Sequence, residues 1–82
     1  MDKILNDVVA EYERAVKKFP QFNSGHEGYA VLKEEVDELW DCIKCNVDPK
    51  LTRAEAVQVA AMTIRFINDV CDKERERHGQ VE

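Results

Sequence analysis

The chain has 82 residues, 35% of them charged and 44% hydrophobic, with only 3 glycines and 2 prolines. So few turn residues exclude a β-sandwich or barrel, which needs a turn about every 8–12 residues, and favour one small all-α domain of long helices. A net charge of −5 excludes the basic footprint of a protein that grips a nucleic-acid polymer.

No apolar run reaches the roughly 18 residues of a membrane span, so no membrane partner is expected. The N-terminal MDKILNDVV lacks the apolar core of a signal peptide. With 3 cysteines, an odd number, reduced thiols and a cytoplasmic location are the expectation. The whole chain, 1–82, reads as a single domain, with 78–82 as a frayed tail.

The first helix is expected from about Asp2 to Lys18, where Ile4, Leu5, Val8, Tyr12, Ala15 and Val16 recur at helical spacing. Pro20 disfavours a helical Phe19 and ends it. Ser24 with Glu27 forms a capping box, so the second helix opens there and runs to about Cys45. Asn46 to Lys50 reads as the turn. Thr52 with Glu55 reads as another capping box, opening a third helix that continues to Arg75 or Arg77.

The apolar residues of this third helix cover much of its circumference, which marks a buried helix. Two other helices in so short a chain cannot easily cover it. A homodimer or homotetramer that completes a helical bundle is therefore expected.

The densest chemistry lies on the second helix, in Glu34-Glu35-Val36-Asp37-Glu38. A rotation of about 100° per residue gathers Tyr29, Leu32, Val36, Leu39, Trp40 and Ile43 into an expected core stripe. Lys33 and Asp37 fall on the solvent side. Glu35 and Glu38 fall between, beside Val31, Cys42 and Cys45. A solvated acidic face is one reading of this run. Carboxylates side by side among apolar groups instead call for a cation, and an all-oxygen site suits Mg²⁺.

Other residues carry weaker signals. His26 begins the second helix, where free N–H groups suit phosphate, and Gly25 and Gly28 would admit a ligand to the backbone. Phe19 and Phe22 are candidates to stack on a base, or else caps on a small core. Lys18, Lys33, Arg53 and Arg65 are candidate phosphate contacts. Cys42 and Cys45 form a lone CxxC, a thin basis for zinc.

The run HEGYAVLKEEVDELWDCIK, followed after a turn by EAVQVAAMTIRFINDVC, resembles the MazG-like all-α nucleoside triphosphate pyrophosphohydrolases. The resemblance covers the second and third helices. It implies Mg²⁺-dependent hydrolysis of a nucleotide substrate between its α- and β-phosphates, giving a monophosphate and pyrophosphate. Glu34, Glu35 and Glu38 match the family's first element, EExxE. Glu35 and Glu38 would then be metal ligands, and Glu34 a ligand or the group that activates water. His26, Lys33, Gln58 and Arg65 are the substrate-binding candidates.

The family's second element, ExxD, is degenerate here. With the turn centred near residue 48 or 49, the partners of Glu35 and Glu38 are expected near residues 59 to 62, where no carboxylate stands. Glu55 and Gln58 fall one turn early, and Asp69 and Asp72 too late. Gln58 offers only a neutral oxygen, and Asn68 or Asp69 would have to come from a neighbouring subunit. The alternative reading is a non-catalytic helical dimer that binds a nucleotide or a protein.

Overall fold

The computed structural model describes residues 1–72; the expected helix end at Arg75 or Arg77 and the tail 78–82 lie outside the described residues. The described residues are all-α, as expected. They form α1 (Asp2–Lys18), α2 (Gly25–Lys44) and α3 (Pro49–Phe66), with α3 prolonged by a π-helical stretch over Ile67–Asp72. No helix among them is long and apolar enough to cross a membrane. Helix α3 is the centre of the fold, with α1 and α2 each packed against it.

Each boundary has a local cause. Phe19, ahead of Pro20, is extended (φ −124°, ψ 147°), and α1 stops there. Ser24 Oγ accepts from the Glu27 backbone N–H at 3.1 Å, while the Glu27 carboxylate accepts from the Asn23 backbone N–H at 2.9 Å. The capping role expected of Glu27 is thus present, its return bond reaching the residue before the N-cap.

Helix α2 ends in a Schellman motif. Asn46 takes a positive φ of 53°, its N–H donates to the Ile43 carbonyl, and the Val47 N–H donates to the Cys42 carbonyl, both at 3.2 Å. Asp48 then caps α3 at once, accepting from the Lys50 N–H at 2.8 Å with Pro49 in the first helical turn. The capping box expected at Thr52 and Glu55 is therefore corrected: both residues already lie inside α3.

The core is thin. Val8 and Ala15 of α1 meet Ala61 and Met62 of α3, with Tyr12, Val31, Leu32 and Val57 around them. On α2, the face turned to α3 includes Gly28, Val31, Leu32 and Glu35, and so keeps only part of the stripe expected from apolar spacing. Tyr29, Val36, Trp40 and Ile43 of that stripe are 45–60% exposed, and only Leu32 and Leu39 are partly covered. Placing Glu35 on the packed face is unusual, since carboxylates seldom go where solvent is excluded.

A second cluster ties the α1–α2 loop to the end of α3. Arg65, 4% exposed, donates to the Pro20 carbonyl at 2.6 Å and lies 4.1 Å from the Phe22 ring centre. Asp69, also buried, sits 3.9 Å from the Arg65 Nε and accepts from the Phe22 N–H at 3.2 Å. Phe22 also packs on Gly28, where an added Cβ would stand 2.7 Å from the Phe66 ring and 3.1 Å from Phe22. Gly28 thus serves close packing, not the approach of a ligand.

Candidate functional site

The early start of α3 sets the register of the α2–α3 hairpin. Moving the first residue from Thr52 to Pro49 shifts the facing positions by about one helical turn. Glu55 then faces Glu38 across the hairpin. Carboxylate oxygens of Glu35, Glu38 and Glu55 lie within 4.8 Å of one another. Glu55, expected as a cap, is instead a member of this cluster, and the signal that identifies it is Asp48-Pro49, an N-cap followed by a first-turn proline.

These carboxylates stand in unequal surroundings. Glu38 is exposed, whereas Glu35 and Glu55 are half-buried. Burial, and then the charges of Glu38 and Glu55, push the Glu35 carboxyl up to about 7. Glu55 is raised by burial first and by the charge of Glu38 next. Its Oε2 is buried and has no hydrogen-bond partner. A buried oxygen without a donor is costly, and a cation would satisfy it.

The donor set fits a hard divalent ion. Mg²⁺ binds oxygen at about 2.0–2.1 Å, so opposed ligands stand about 4.2 Å apart. Adjacent ligands stand about 2.9 Å apart, so carboxylate oxygens lying within 4.8 Å of one another would draw together around the ion.

The cluster lies in a groove of about 630 Å³, between α1 and α2 with α3 as its floor. That volume is in the range of small-molecule sites, roughly 300–1,000 Å³. Glu34, Glu35 and Glu38 line the α2 side, Glu55, Gln58 and Met62 the floor, and Arg14 and Lys18 the α1 side. The α2 side is therefore acidic, and the α1 side carries Lys18 and an Arg14 that is paired with Glu11. Phe19, half-exposed, also lines the groove, with Lys18 Nζ 5.5 Å from its ring centre.

The remaining candidates divide clearly. Gln58 and Arg65 line the groove, although Arg65 is engaged with Pro20 and Asp69. Lys33 pairs with Asp37 at 2.9 Å on the exposed face and does not line the groove. Arg53 pairs with Asp7 at 2.9 Å, also away from it. His26 is exposed and outside the groove lining. Asp69, considered as a ligand for a neighbouring subunit, is buried in its own chain. The cysteines are free thiols, and none joins the carboxylate cluster. Glu11 and Arg14 escaped the sequence reading because only the packing of α1 on α3 brings them to the groove.

No family model, curated protein or solved structure matches the chain.

Proposed function

We propose that the protein is a Mg²⁺-dependent nucleotide pyrophosphohydrolase of the MazG-like kind, cleaving a nucleoside triphosphate to a monophosphate and pyrophosphate. One observation carries this reading: Glu35, Glu38 and Glu55 converge in a groove whose opposite side bears Arg14 and Lys18. With Glu55 opposite Glu38, the second carboxylate element, degenerate in the sequence reading, is represented by Glu55 and Gln58.

Glu35, Glu38 and Glu55 would hold the cation. When bound, Mg²⁺ supplies charge neutralisation for the phosphates and acidifies water. Arg14 and Lys18 meet the outer phosphate oxygens, and Phe19 offers a ring to the base. Glu34, exposed in the groove beside the cluster, accepts the proton of the attacking water. The water oxygen bonds to phosphorus as the bridging α–β oxygen departs, so pyrophosphate and monophosphate account for every atom.

Self-association belongs to this reading. The exposed Tyr29, Val36, Trp40 and Ile43 form an uncharged stripe on an acidic chain with a thin core, and a second copy of α2 is its natural cover. The site would then act within a homo-oligomer.

The test is pyrophosphate release from a panel of ribo- and deoxyribonucleoside triphosphates with Mg²⁺. Release by the protein and not by Glu38→Gln is expected. No release above that variant across the panel would overturn the proposal.

A further inference from the structure

Gln58 stands one turn beyond Glu55 on α3 and lines the groove. Its Nε2 donates to Oε2 of Glu11, on α1, at 2.6 Å. The other oxygen of Glu11, Oε1, takes the Arg14 guanidinium. A carboxylate accepts hydrogen bonds and has none to give, so only the nitrogen end of the Gln58 amide can face Glu11. The carbonyl oxygen is therefore not the atom that meets Glu11. Glu35 and Glu38 lie on the other side, on α2.

We infer that Glu11 is a positioning residue for the cation site, holding Gln58 so that its Oε1 serves as a fourth, neutral oxygen beside Glu35, Glu38 and Glu55. The inference rests on the cation reading above and adds to it how an amide works where a carboxylate would be expected. Partners behind a ligand fix its orientation, and their loss costs about 10–100-fold in metal affinity. Arg14 in turn steadies Glu11, so α1 contributes to the site without touching the ion. Within that cluster, the unsatisfied Glu55 Oε2 is the sign that a positive ligand belongs there.

The experiment is titration of the intact protein with Mn²⁺ alone, followed by the loss of the free-ion electron paramagnetic resonance signal. Glu11→Gln presents both an oxygen and an NH₂, so the Gln58 amide is released to turn over. At least about tenfold weaker Mn²⁺ binding is expected. The exchanged pair Glu11→Gln with Gln58→Glu restores the donor–acceptor match and turns a carboxylate to the cluster. It is expected to bind Mn²⁺ at least as tightly as the unaltered protein, and it decides the matter if Glu11→Gln alone fails to fold.

Equal binding by Glu11→Gln and the unaltered protein, with binding lost in Glu38→Gln, would overturn the role of Glu11 and leave the cation reading standing. Failure of the exchanged pair to recover binding would do the same. No Mn²⁺ binding by the unaltered protein would overturn both.

Discussion

Glu55 of α3 lies opposite Glu38 of α2, with their carboxylate oxygens within 4.8 Å. This closeness is unfavourable without a positive charge between them, and Glu35 beside them adds to the repulsion. The site is therefore strained by its own charges, and pH and divalent ions should both act on it.

The pH effect has a defined sign. An isolated glutamic acid titrates near 4.5, and in the folded chain Glu35 titrates at about 7. The folded form holds this proton more tightly, so the associated stability is full below about 4.5 and is lost as pH rises through about 7. Without divalent ions, the melting temperature relative to Glu35→Gln should fall between pH 5.5 and pH 8, and Mg²⁺ at pH 8 should recover it. A difference that is flat or grows with pH, read by circular dichroism, would contradict this origin.

The start of α3 is testable by its caps. Asp48→Ala removes the acceptor of the Lys50 N–H and should cost about 1 kcal/mol. Thr52→Ala should cost little, because Thr52 lies inside the helix. Urea denaturation of the two variants measures the order. The reverse order would place the helix start at Thr52 and take Glu55 out of register with Glu38.

Much of the fold was legible because its determinants are local. Pro20 stops α1, Ser24 and Glu27 open α2, and the low turn content calls for helices. Helix pairing was not legible at the same level. Apolar spacing marks Tyr29, Val36, Trp40 and Ile43 as a stripe, but spacing does not say whether α3 or another copy covers it. The site turned on a similar point. Thr52-x-x-Glu55 and Asp48-Pro49 both signal a helix start, and only the second is used. That choice moves the facing residue by a turn and decides whether Glu38 meets a carboxylate. Glu11 depends on the packing of α1 on α3, which no local pattern records.

The loop clamp should be a major source of stability. Asp69 is buried against Arg65, so Asp69→Ala leaves a guanidinium with no compensating charge and frees the Phe22 N–H. Losing one partner of a buried pair costs about 3–5 kcal/mol. A loss near the lower end is expected here, because the 3.9 Å separation is long. Chemical denaturation reads it directly, and a loss under about 1 kcal/mol would show that the loop is held by Phe22 packing alone.

The exposed stripe makes a separate prediction. Trp40, 54% exposed, stands in the middle of it. Sedimentation should find the unaltered protein as a dimer or larger and Trp40→Glu as a monomer with unchanged helix content. An unaltered protein that sediments as a monomer would remove the second copy from the account.

The most direct measurement is phosphorus-31 magnetic resonance of nucleoside triphosphates incubated with the protein and Mg²⁺. The triphosphate resonances should give way to those of a monophosphate and pyrophosphate in equal amounts. Glu38→Gln should give no turnover, and neither should the unaltered protein in the presence of a chelator. Resonances of a nucleoside diphosphate with orthophosphate, or triphosphate unchanged across the panel, would contradict the proposed reaction.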